Sequence, residues 1–266
     1  MKPKIQKLYS KTTEVFLRYP TIIAVALIAA ISAVIGIEMD NYFDSEHQFQ
    51  VGKLIIISTI GISAMFAVKM LSQRIGKGFL LESITAILLI SFYFVLPKTK
   101  TDFTIIHFIL LVVIYILSHL LVSFIAFLGK DKELNFWQYN KNLFINIFLT
   151  VVFTGVLVGG FLLAILAVEQ LFNFNFNGQI YPKTFVFLAI LGSTLIFLIF
   201  NDRGLPNLEN DENYPQILKF FTQFVLVPLL FIYLVILYFY TGKILINWEL
   251  PRGWVSYLVL AYSIVG

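Results

Sequence analysis

Histidines, carboxylates and amides inside apolar stretches are the first places to look for chemistry, because ionisable side chains are costly within a bilayer core. His107 and His119 share one apolar run, Phe103–Leu128. They are twelve residues apart, about 18 Å along a helix axis, and point about 120° apart. That separation excludes a metal site shared by these two alone. Tyr115, His119 and Ser123 follow at i, i+4 and i+8, so they form one stripe. Asn142, Asn146 and Thr150 repeat the spacing in the next run. A short loop joins the two runs, which makes them antiparallel neighbours. Measured from that loop, His119 and Ser123 lie at depths similar to Thr150 and Asn146. The expectation is a polar seam of His119, Ser123, Asn146 and Thr150, serving as interhelical glue or as a substrate or proton path.

A second group lies toward the opposite membrane face. Glu169, beside Gln170, suits an interfacial group, a cation ligand or a proton relay. Trp248, Glu249 and Trp254 belong to a Trp-Glu-Leu-Pro-Arg-Gly-Trp segment that reads as an interfacial hairpin. These four residues form the candidate outer-face site, and two carboxylates converging within about 10 Å would suit acid–base work. Gly155 and Gly159 make a GxxxG in the same run as Glu169, extended by Gly160 and Ala164, which favours close helix packing. Asp202, Arg203, Glu209, Asp211 and Glu212 crowd the segment 201–214. They read as solvated loop charge, with a divalent cation site as the alternative. No GxxxxGK[ST], HExxH or GxSxG occurs, so no catalytic residue, metal ligand or cofactor is expected.

The elements that must carry these residues are membrane helices. Of 266 residues, 59% are hydrophobic and 13% charged, against roughly 25% charged in soluble domains. Eight runs approach or qualify as spans: about 21–37, 54–71, 79–96, 103–128, 143–172, 183–200, 217–246 and 254–266. A span needs roughly 20 residues, so the last run is cut short. The fold class is all-α: a polytopic transmembrane helix bundle of about seven full spans plus a truncated eighth. Residues 1–266 form a single transmembrane helical domain, read as the N-terminal part of a longer protein. The basic N-terminal flank and the lack of a suitably placed cleavage site make the first run an uncleaved helix. With the N-terminus inside, thirteen Lys and Arg fall on the cytoplasmic side and six on the outer side, as the positive-inside rule requires. Cysteine is absent, which excludes disulfides and thiolate metal sites. The net charge of +4 sits in short loops beside apolar runs, where it controls topology and meets lipid headgroups.

The final third carries the most distinctive pattern. Tyr214-Pro215 and Lys219 lead through Pro228, expected to kink its helix, to Tyr238-Phe239-Tyr240 and Lys243, and then to Trp248-Glu249-Leu250-Pro251. Together with Phe136-Trp137, Tyr139-Asn140 and the helix through Glu169-Gln170-Leu171-Phe172, it resembles the bacterial membrane family catalogued as domain of unknown function 4153. The resemblance runs over about 130–266. It implies a bacterial inner-membrane protein and supplies no activity, cofactor or catalytic residue. The expected role is a non-enzymatic envelope scaffold, sensor or assembly component. The alternatives are a transporter or channel for a small solute and, more weakly, a lipid-modifying enzyme. Membrane lipids and an envelope protein are the expected partners; nucleic acid is not.

Overall fold

The computed structural model describes residues 13–39, 45–128, 133–210, 223, 225 and 227–247. Helix α1 (Pro20–Met39) opens on a proline, whose missing N–H is one a helix start leaves unpaired anyway. Helix α2 (Ser45–Ile75) returns and stops at Gly76. Gly76 has φ +74° and bonds back to the Ser72 carbonyl, the left-handed stop that glycine adopts without strain. Helix α3 (Gly78–Val95) ends ahead of Pro97. At the start of α4 (Ile105–Phe124), the Thr104 amide donates to His107 Nδ1 at 3.1 Å. His107 therefore caps its own helix.

Helix α5 (Glu133–Phe172) is 40 residues long, about 60 Å and roughly twice the hydrocarbon thickness. The apolar run marks only its membrane part. Polar residues such as Asn135 and Asn140 continue the helix beyond it, because helix geometry does not require an apolar side chain. Similarly, α2 begins inside the stretch 38–53 that reads as loop. Helix α6 crosses as Ile180–Phe187, a π turn Leu188–Gly192, and Ser193–Phe200. A short α7 (Leu205–Asn210) follows, and α8 (Val227–Asn247) has Pro228 in its first described turn. The eighth run lies outside the described residues.

Seven of these helices are long and apolar enough to cross a membrane. The chain is an all-helical, polytopic membrane protein. We call the bundle end near Arg18 proximal and the end near Met39 distal. Helices α1 to α4 pack in one group, with α5, α6 and α8 in another. Helix α1 joins the groups through α6, while α4 and α5 touch only sparingly. The main core gathers Tyr19, Ile22, Met65, Met70, Leu198 and Leu208 at the proximal junction. Helix α3 exposes one face, including Phe79 and Phe94, as suits a lipid-facing span, and packs Leu89, Phe92 and Tyr93 inward. Its inward Glu82 accepts from Lys69 at 2.6 Å and from Thr21 at 2.9 Å, tying α3 to α1 and α2.

Tight helix approach falls on the Gly160–Ala164 extension of the small face and not on the two GxxxG glycines. Gly155 and Gly159 have nothing within 4 Å of a built Cβ, whereas one on Gly160 would strike Leu229 of α8.

Candidate functional site

A groove of about 550 Å³ runs between α4 and α5, with α1, α2 and α6 behind it. Its floor holds the buried Ile22, Phe66 and Leu198. Its rims are exposed: Tyr115 and His119 on α4, Ile147 and Val151 on α5. Buried floor and exposed rims together give a mouth that opens sideways between two spans. The opening follows from the helix packing. Near the proximal end, the Tyr139 hydroxyl donates to the Val122 carbonyl at 2.8 Å, and Ser123 hydrogen-bonds Asn140. Beyond these ties α4 leans on α2, whereas α5 leans on α6 and α8, so the two part.

The lining is mainly apolar, with hydroxyls and one imidazole at intervals, a common composition for a ligand site. The His119 ring packs 4.4 Å from that of Tyr115, and Nδ1 lies 2.9 Å from the Tyr115 carbonyl oxygen. A carbonyl only accepts, so Nδ1 carries a proton, which leaves Nε2 as the ring nitrogen whose lone pair can accept. On the opposite wall the π turn alters the α6 hydrogen-bond ladder. Thr194 Oγ1 donates to the Ile190 carbonyl at 2.7 Å, and Ser193 donates to Ala189 and Ile190. These back-bonds supply donors to carbonyls within the turn.

Proximal to the groove lies a buried amide layer. Asn201 is fully buried at the end of α6. Its Nδ2 donates to the Phe197 carbonyl at 2.7 Å, and its Oδ1 accepts from Asn146 Nδ2 at 3.2 Å. The Tyr19 hydroxyl donates to the Asn201 carbonyl at 2.6 Å. Burial pushes this phenol above its ordinary pKa range. Next in the chain, Gly204 takes φ +68° against the Gln73 side chain, and Gln73 Oε1 accepts the Leu205 amide at 2.8 Å. Asn142 Nδ2 donates to the Leu208 carbonyl at 2.8 Å, and Glu209 pairs with Arg74. Arg74 also donates from Nε to the Ala126 carbonyl at 3.0 Å and lies over the Phe127 ring. The segment 201–210 is therefore docked, and Glu209 is not the solvated loop charge read from the sequence; Arg203 is exposed, and Asp211 and Glu212 lie outside the described residues. Leu205 and Leu208 anchor the segment, and its acid Glu209 has a guanidinium partner.

The structure brings His119 and Thr150 onto one groove. It sets Ser123 and Asn146 in separate pairs, with Asn140 and Asn201 respectively. The difference is six residues of register along α5, which continues back past the expected loop to Glu133. At the distal end Glu169 accepts a hydrogen bond from the Tyr181 hydroxyl, Lys183 pairs with Glu38, and Lys243 donates to the Leu171 carbonyl at 2.8 Å. Trp248, Glu249 and Trp254 lie outside the described residues. Among those described, no group of three or more His, Asp or Glu is placed to hold a metal.

Residues 18–264 match the family described as Domain of unknown function (DUF4153). The chain belongs to this family. The match takes in α1 to α4 as well, so family membership reaches well beyond the stretch of about 130–266 that carries the sequence resemblance. Over 151 residues the chain is 30% identical to an uncharacterised protein of Pasteurella multocida (strain Pm70), covering 55% of this chain and 26% of that protein. The chain thus spans about a quarter of the length of this curated relative. No solved structure matches it.

For this family member, reading the sequence missed Asn201, Gln73 and the π turn. A signal for the docked segment was present in Leu205 and Leu208, apolar residues three apart directly after a Gly, the spacing of a short amphipathic helix. The π turn has no comparable signature, since Leu188–Gly192 is ordinary apolar helix sequence.

Proposed function

We propose that this protein is a non-enzymatic component of the bacterial cytoplasmic (inner) membrane, with its N-terminus in the cytoplasm. In this reading it is a sensor or assembly factor that holds a hydrophobic ligand taken from the bilayer. The single observation behind it is the sideways groove between α4 and α5, with an apolar floor and intermittent polar groups. A mouth between two spans faces lipid, so what reaches it partitions from the membrane.

Two experiments test this. Delipidated protein, reconstituted in lipid discs and released into the gas phase, should retain lipid-sized adducts. Val151→Trp, which narrows the mouth at an exposed position, should lose them while melting at the wild-type temperature. Equal retention by both proteins refutes the reading. For orientation, the cysteine-free chain accepts single thiols at Ser45 and Asn135. An impermeant reagent applied to intact spheroplasts should label position 45 and spare 135, and the reverse pattern overturns the topology.

A second reading, a path for a small solute, draws on Thr154. It lies one turn beyond Thr150, and its buried Oγ1 has no hydrogen-bond partner among the described residues. A Thr154→Cys thiol that reacts with an aqueous reagent from the distal side would favour this path over a closed ligand site.

A further inference from the structure

The polar groups of the groove share one property: nearly all have spent their protons on the backbone. Thr59 Oγ1 donates to the Ile56 carbonyl at 2.8 Å, and Thr150 Oγ1 to the Asn146 carbonyl at 2.7 Å. Ser193 and Thr194 donate to Ala189 and Ile190. His119 directs its N–H to the Tyr115 carbonyl. A hydroxyl has one proton and two acceptor lone pairs, and a neutral imidazole has one of each. Ser63 Oγ likewise donates to the Ile60 carbonyl at 3.0 Å, so what remains on the lining is a set of acceptors: five hydroxyl oxygens and His119 Nε2. Tyr115 supplies the one phenolic proton at the mouth. Among the described residues, no Lys or Arg lines the groove.

Such a surface selects by hydrogen-bond polarity. A carboxylate or phosphate in the groove would meet lone pairs and leave its own oxygens unsolvated, which is costly in a site of low dielectric. An ester or ether lipid has no proton to offer. A hydroxyl supplies one, and the imidazole nitrogen is the most basic acceptor present.

We propose that the groove binds an uncharged long-chain lipid bearing a free hydroxyl. The O–H donates to His119 Nε2, and the hydrocarbon lies against Phe66, Phe197 and Leu198. This assignment rests on the reading of the groove as a ligand site and adds the chemical class of the ligand.

Three diazirine-tagged probes of equal chain length separate the possibilities: a long-chain alcohol, its methyl ether and the matching fatty acid. Each is photolysed with the full chain in lipid discs, and labelled peptides are quantified. The alcohol should label the α4 and α5 rims about five- to tenfold more than the ether or the acid, the scale of one hydrogen bond in a sheltered site. His119→Leu, at an exposed position where an apolar residue is compatible with folding, should reduce alcohol labelling to the ether level. His119→Gln, which restores an acceptor, should recover part of the difference. Equal labelling by alcohol and ether, unchanged in His119→Leu, overturns the hydroxyl assignment and leaves the groove a lipid site. Stronger labelling by the acid overturns it too. Labelling spread over outer faces such as α3, with none at the groove, removes the ligand site itself.

Discussion

Replacing Asn201 with leucine should destabilise the fold by about 2–4 kcal/mol. The side chain is fully buried and makes two hydrogen bonds, to the Phe197 carbonyl and from Asn146 Nδ2. Hydrogen bonds within membrane proteins average about 0.6 kcal/mol, so the bonds alone cost little more than 1. The larger part comes from Asn146, itself buried, whose amide would lose its partner at about 1–3 kcal/mol. Leucine keeps much of the volume, and the backbone carbonyl that accepts from Tyr19 stays in place. Asn146→Leu should cost a similar amount for the converse reason. The double variant should cost less than the two together, because neither amide is then left unpaired. A coupling of about 1–2 kcal/mol is expected. Unfolding in mixed micelles, followed by circular dichroism, measures all four corners of the cycle. Single variants within about 0.5 kcal/mol of wild type, or costs that simply add, refute the reasoning.

Glu82→Gln should cost about 3 kcal/mol, because it leaves Lys69 without its counter-charge in a site where both side chains are mostly buried. The pair Lys69→Leu and Glu82→Leu together should recover most of that in the same unfolding assay. Gly204→Ala should lose about 1–2 kcal/mol from the left-handed backbone, and more if the Gln73 side chain cannot move aside. Tyr19 sets an alkaline limit. Its folded pKa lies above the unfolded value of about 10, so its contribution is complete below that pH and falls as pH rises through the folded value. Stability followed from about pH 9 upward should decline less steeply in Tyr19→Phe than in the wild type.

The spans were legible because a bilayer imposes a length and polarity rule on each one separately. Proline and glycine at positions 20, 76 and 97 then mark their ends through purely local effects. Partners across the bundle were not legible in the same way. Depth counted from the loop sets Ser123 level with Asn146, but α5 continues as helix through polar sequence to Glu133 and brings Asn140 to Ser123 instead. The charges of 201–210 read as solvated for a related reason. Arg74, which meets Glu209, lies 135 residues earlier, and no local pattern reports such a pairing. His119 and Thr150 stood out because polar groups are rare among apolar neighbours. Their placement on a groove depends on α4 and α5 diverging, a property of the whole packing.

Helix α5 meets α8 closely at Gly160, where Leu229 fills the space a side chain would take. That contact divides the rod unequally, with 27 residues on the proximal side and 12 on the distal side, about 40 Å and 18 Å. A tilt about Gly160 would make α5 a lever with arms of roughly two to one. A tilt of about 5° that spreads the groove would carry the proximal tip about 3–4 Å, and the turn bearing Glu169 about 1 Å. Under the proposed function, a ligand that spread the two spans would have to strain the ties of Tyr139, Asn140 and Asn142 at the long arm far more than the contacts of Glu169 at the short one.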